Sequence, residues 1–225
     1  MMTFYAAIGT YRIRTENGHK IPYIQKLGKL HPISIPEFII WSTLLWEVMT
    51  YDELKRFYDE QIQALEGVHP GFDELLSMLI KRKLIIKGIG YTGADALYSM
   101  LSDAFVIPFR VNGGRKLWNA LKLWCNGKIS AHQARNILKP RTASPMEERV
   151  VRLVEQTPLS TPEIIRCVEC GITDVSTADK VIEGIYPDST QKTIANEEFM
   201  AAPTNAVLEA VSSLYLNREV VLEVI

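Results

Sequence analysis

The hydrophobic and polar positions of this chain change period after about the first 25 residues. Tyr11-Arg12-Ile13-Arg14 alternates apolar and basic, Asn17-Gly18 is a pair suited to a tight turn with positive φ, and Ile21 and Tyr23 resume the alternation. This predicts a hairpin. Pro22 marks its second strand as an edge, because proline has no N–H to offer a further neighbour. Beyond the hairpin the period becomes helical, and the start signals are plain. Ser34-Ile35-Pro36-Glu37, Thr50-Tyr51-Asp52-Glu53, Ser144-Pro145-Met146-Glu147 and Ser160-Thr161-Pro162-Glu163 each set a hydroxyl three residues before a carboxylate. Such a pair satisfies two free amides of a helix start reciprocally. Pro145 stands where the missing N–H costs nothing. Ser130-Ala131-His132-Gln133 is a weaker fifth signal.

The spacing of these signals repeats. Ser34 to Thr50 and Ser144 to Ser160 are both sixteen residues apart. A third helix is predicted after each pair, at Phe72–Lys83 and Val175–Tyr186. In the first half Leu30–Ile35 reads as a strand before the helices. Leu84-Ile85-Ile86-Lys87 reads as a strand after them, with Gly88-Ile89-Gly90-Tyr91 as a turn whose glycines supply positive φ. In the second half the corresponding hairpin falls near Asp188–Asn196. This order resembles the winged-helix variant of the helix-turn-helix fold, in two tandem copies. The run Ile35-Pro36-Glu37-Phe38-Ile39-Ile40-Trp41, with Tyr51-Asp52-Glu53-Leu54, also resembles, distantly, the small winged-helix peptide-binding modules of cofactor-maturation pathways.

Between the copies, Asn112-Gly113-Gly114 predicts a turn and Arg115–Asn126 an amphipathic helix, with Leu117, Trp118, Leu121, Trp124 and Cys125 on one face. Asn126-Gly127 ends it, Ser130–Leu138 forms a second short helix, and Pro140 stops that one. The expected fold is therefore mostly α with small β hairpins or wings: tandem winged-helix-like units joined by a helical hairpin. Residues 1–29 form an N-terminal β-hairpin and 30–103 the first unit. Residues 104–143 form a basic helical connector, and 144–225 a second, acidic, helical unit.

Composition adds little to this picture. With 225 residues, 47% of them hydrophobic and 23% charged, the chain is ordinary globular material that buries roughly 70% of its unfolded surface. Three cysteines (Cys125, Cys167, Cys170) make no disulfide framework and fit a reducing compartment. Met1–Ile8 lacks the basic start of a signal peptide, and Phe38–Trp46 is too short to span a bilayer. A cytoplasmic protein with no membrane partner is expected.

Charge changes the picture more. Residues 104–146 carry eight Lys or Arg and no acid, whereas residues 147–225 carry fourteen acids and six Lys or Arg. The connector bases are Arg110, Arg115, Lys116, Lys122, Lys128, Arg135, Lys139 and Arg141. Lys81, Arg82, Lys83 and Lys87 lie at the far end of the first third helix, toward the wing. Together these twelve residues are the expected phosphate contacts of a nucleic-acid-binding protein. Winged helices commonly lay the third helix in the major groove. Here Phe72-Asp73-Glu74-Leu75 opens that helix with two acids, which repel DNA and suit the helix dipole. The alternative partner is a protein: another copy of the chain, or a peptide meeting the acidic third helices.

Catalytic chemistry finds no support in the residues. Gly88-Ile89-Gly90-Tyr91-Thr92-Gly93 matches the dinucleotide fingerprint, follows a strand and precedes a helix at Ala94–Ser102. The next strand, Ala104–Phe109, ends at Arg110 with no acid for a ribose, and no parallel sheet is predicted. A nucleotide-dependent enzyme built on this loop is the weakest of three readings. Cys167-Val168-Glu169-Cys170 puts two sulfurs on one helix face, yet a structural zinc needs four ligands, and only Cys125, His19, His31, His69 and His132 remain. Buried small residues are the simpler reading. The expectation is a non-catalytic winged-helix regulator that binds nucleic acid and carries no cofactor or metal. A protein- or peptide-interaction module is the alternative.

Overall fold

The computed structural model describes residues 1–16, 18–65, 70–109, 142–185 and 197–224. Among these residues it is a mixed α/β protein with three small antiparallel sheets, eight helices and nine strands. The mostly helical class expected from the periodicity is thereby corrected. The missed strands are short, or are buried on both faces and so show no alternation.

Strand β1 (Met2–Ala7) lies between β5 (Met49–Thr50) and β6 (Ile85–Gly90), with Phe4 opposite both Thr50 and Gly88. Helices α1 (Ile35–Leu44), α2 (Tyr51–Ile62) and α3 (Phe72–Lys81) complete this unit. The expected hairpin is present as β2 (Thr10–Glu16) and β3 (His19–Lys26), joined in a second sheet by β4 (Lys29–Pro32) in the order β2-β3-β4. Asn17 of the predicted turn lies outside the described residues. Strand β3 is therefore central, not an edge. Pro22 is tolerated because β4 ends at Pro32, opposite Tyr23. One residue farther on, only the β2 side needs a ladder, and the Pro22 carbonyl accepts the Ile33 N–H at 3.3 Å.

After α4 (Gly93–Leu101) the plan recurs. Strand β7 (Phe105–Pro108) is the centre of a third sheet between β8 (Leu159–Ser160) and β9 (Val220–Glu223). Helices α5 (Pro145–Val154), α6 (Thr161–Glu169), α7 (Ala178–Ile185) and α8 (Glu197–Leu216) surround it. In both units the strand that opens the unit occupies the middle of the sheet, and a two-residue strand precedes the second capped helix. All four predicted capping boxes form, and Thr92–Asp95 adds a fifth at α4. The helices that precede the closing strands end alike. Leu84 N–H reaches Leu79 O and Glu219 N–H reaches Leu214 O, both at 2.9 Å, after Lys83 and Arg218 take left-handed φ values of 53° and 63°.

The two units meet along β1, which lies between two buried clusters. Tyr5 and Ala7 on one face of β1 join the core of α1–α3, and Ala6 and Ile8 on the other face join the core of the second unit. Trp41, fully buried, donates its indole N–H to Ile8 O at 3.1 Å. Tyr215 of α8 crosses the seam. Its hydroxyl accepts the Trp46 N–H at 3.1 Å and lies 2.9 Å from Leu44 O and 3.2 Å from Ala7 O.

The glycines of the fingerprint-like run do not form a wing. Strand β6 continues through Gly90 and pairs with β1, and neither Gly88 nor Gly90 has positive φ. Their role is steric. A Cβ on Gly88 would fall 2.1 Å from Ala96 O and 2.4 Å from Met100 N, and one on Gly90 would fall 2.3 Å from Ala96 N. The two glycines let the backbone of α4 pack directly against β6.

Candidate polyanion interface

The first 103 residues look neutral, with eleven Lys or Arg and twelve acids, but they are internally sorted. Nine of the eleven bases fall in residues 12–29 and 81–87, where Glu16 is the one acid. The fold joins these stretches. The β3–β4 turn, Lys26-Leu27-Gly28-Lys29, comes down beside the C-terminal end of α3. Leu27 and Gly28 both have positive φ (45° and 76°), which matches the twist of a two-residue hairpin. The turn is held by the buried carboxylate of Glu223, whose Oε2 accepts the Leu27 N–H at 3.2 Å. Burial raises the Glu223 pKa above the usual carboxylate range.

Burial and neighbouring cations act together on the titratable groups of this face. Burial, then the charges of Lys26, Arg82 and Lys29, hold His31 below its ordinary pKa. Burial, then Lys83, hold Lys26 below the usual lysine value, against an opposing pull from Glu223. Five cationic or titratable side chains from two remote stretches thus converge: Lys26, Lys29, His31, Arg82 and Lys83.

The predicted phosphate contacts divide into three groups. Arg82 belongs to the fold. Its guanidinium donates to Glu37 Oε1 at 2.9 Å and to Pro32 O at 2.6 Å. Glu37 is buried, and its other oxygen caps α1 by accepting the Ser34 N–H at 2.7 Å. This buried carboxylate, paired and capped, pins the end of α3 to the start of α1. Lys81, Lys83 and Lys87 are exposed. Lys83 and Lys87 line a groove of about 410 Å³ floored by Ile86, Met100 and Phe105, with Asp103 also at its wall. The connector bases Arg110, Arg115, Lys116, Lys122, Lys128, Arg135, Lys139 and Arg141 lie outside the described residues, as do both connector helices and the hairpin expected at Asp188–Asn196.

Lys26, Lys29 and His31 were not among the residues predicted to bind phosphate. The available signal was the ratio of five bases to one acid across residues 12–29. The acidic start of α3 stays apart. Tyr51 donates its hydroxyl to Asp73 at 2.5 Å, and that bond, before burial, pushes the Tyr51 pKa up to about 12. In the second unit Asp174 pairs with Lys180 and is held well below the usual range.

The two cysteines of Cys167–Cys170 do not act together. Cys167 is fully buried, and burial pushes its thiol up to about 11, while Cys170 is exposed at the C-cap of α6. Among the described residues no group of three or more His, Cys, Asp or Glu is placed to hold a metal. An alkylating reagent at neutral pH is expected to modify Cys170 in the native protein and to spare Cys167 until denaturant is added. Peptide mass spectrometry reads the difference, and equal labelling of both native thiols would contradict the burial. Among the described residues no helix is long and apolar enough to cross a membrane. No family model, curated protein or solved structure matches the chain.

Proposed function

We propose that the protein is a non-catalytic nucleic-acid-binding regulator. It grips phosphates with the face formed by the β3–β4 turn and the C-terminal end of α3. The observation that carries this reading is the convergence of Lys26, Lys29, His31 and Lys83 on one surface, where burial first and neighbouring cations second hold Lys26 and His31 below their ordinary pKa values. Cations gathered on one surface attract a polyanion, which gains further by releasing its condensed counterions. A role confined to the dipole at the end of α3 would need only a cation in its last turn, which Lys81 supplies.

Of the twelve residues first expected to contact phosphate, Lys81, Lys83 and Lys87 remain in this proposal and Arg82 acts by positioning α3; the eight connector bases, outside the described residues, keep their expected role, and Lys26 and Lys29 are added. The test is fluorescence anisotropy with a labelled DNA duplex at low salt. Binding that weakens steeply as salt is added supports the reading. Absence of binding at about 50 mM salt contradicts it, since non-specific contacts are strongest there.

A further inference from the structure

The β2–β3 ribbon stands clear of the rest of the described structure. Every described residue from Tyr11 to Lys20 is exposed. Strand β4 pairs only with Tyr23–Lys26 of β3, so Ile13–Glu16 and His19–Pro22 continue past the third strand as a two-stranded ribbon. Residues two apart share a face of a strand. Tyr11 and Ile13, opposite Ile24 and Pro22, therefore take one face. Arg12 and Arg14, opposite Tyr23 and Ile21, take the other.

The first face anchors the ribbon's base. Tyr11 packs edge-on against Phe38 and Trp41 of α1, with ring centroids 5.6 and 6.3 Å apart. The second face carries the polar groups. The Arg14 guanidinium sits 5.7 Å from the centre of the Tyr23 ring, and the Tyr23 hydroxyl donates to Glu16 Oε1 at 2.7 Å. Two guanidiniums and a carboxylate are thus set in line along a narrow two-stranded projection.

We infer that this ribbon is the groove-reading element: it enters the major groove of B-form DNA with Arg12 and Arg14 leading. This inference rests on the nucleic-acid reading above. The major groove, about 12 Å wide, admits a two-stranded β-ribbon, whose strands lie roughly 4.8 Å apart. Arginine forks match the O6 and N7 acceptors of guanine, and Glu16 matches the amino group of cytosine. Strand β3 runs from the ribbon directly to Lys26, so the phosphate-gripping turn lies at the ribbon's base, where the rim of the groove would be. The opening turn of α3 is unsuited to this role, because Asp73 and Glu74 occupy it.

The experiment compares three probes of one mixed sequence against the full chain: a DNA duplex, the same duplex with 7-deazaguanine in place of guanine, and an RNA duplex. The A-form major groove is too narrow for side chains to read, so RNA reports phosphate contacts alone. R12A/R14A is expected to weaken binding to the DNA duplex about tenfold or more and to abolish the preference for guanine over 7-deazaguanine. R12K/R14K should keep the salt dependence and lose that preference, because lysine cannot fork. Circular dichroism checks that the variants fold.

Equal loss on DNA and RNA would reduce Arg12 and Arg14 to phosphate contacts and overturn the inference. So would unchanged DNA binding by R12A/R14A, although the nucleic-acid reading would then stand. A wild-type chain that ignores all three duplexes yet captures an acidic peptide would remove both.

Discussion

Gly88→Ala is expected to destabilise the protein by about 4 kcal/mol or more, enough to lower Tm by roughly 10 °C or to prevent folding outright. The added methyl would meet the Ala96 carbonyl oxygen at 2.1 Å and the Met100 nitrogen at 2.4 Å. Both are backbone atoms of α4, so no rotamer change relieves the clash. Helix α4 itself must move off β6, and Met100 and Leu101 would leave the core with it. Gly93→Ala is the internal control. Its Cβ would find nothing closer than Phe4 at 3.9 Å, and alanine suits the first turn of a helix. Thermal denaturation of the two variants reads the packing role directly: Gly88→Ala should melt far below the wild type, Gly93→Ala should match or slightly exceed it, and equal melting of the two would contradict the close approach of α4 to β6.

The second large effect is Tyr215→Phe. The hydroxyl is buried at the seam between the units, and burial raises its pKa, so it remains a neutral donor and acceptor at any ordinary pH. Its removal leaves the Trp46 N–H without its partner, while the Leu44 carbonyl keeps the Glu47 N–H at 3.1 Å. A stranded buried group costs about 1–3 kcal/mol, so a loss of that size is expected. At this chain length that lowers Tm by on the order of 2–10 °C. A single cooperative transition should persist, because β1 contributes side chains to both cores. Two separated transitions in the wild-type protein would show the units melting independently and would contradict the coupling through β1 and Tyr215.

Local chemistry was legible in the amino-acid sequence, and long-range pairing was not. The capping boxes at Ser34, Thr50, Ser144 and Ser160 rest on residues three apart, and every one is present. The sixteen-residue spacing announced that the α1–α2 and α5–α6 pairs correspond. Strand β1 gave no such signal. A central strand buried on both faces has no polar alternation, and its partners lie more than forty residues away. Strands β5 and β8 are two residues long, too short for any period to show.

The candidate site follows the same division. Lys81, Lys83 and Lys87 stood out as a run, whereas Lys26 and Lys29 acquire meaning only when β3 and β4 fold back against α3. Arg82 looked like its neighbours in sequence. Its pairing with the buried Glu37, forty-five residues away, sets it apart. The glycine run matched a familiar pattern, yet whether a glycine makes room for a phosphate or for a helix depends on what packs against it.

The measurement that bears most directly on the proposed interface is the salt dependence of duplex binding by the wild-type chain and by K26A/K29A/K83A. Lysines in contact with phosphate each contribute about 0.9 to the slope of log K against log salt concentration. The triple variant should therefore show a slope shallower by about 2.7, while K55A/R56A, on α2 and outside the proposed contact set, should match the wild type. A slope that is the same for the triple variant as for the wild type would mean that the converged lysines do not hold the nucleic acid.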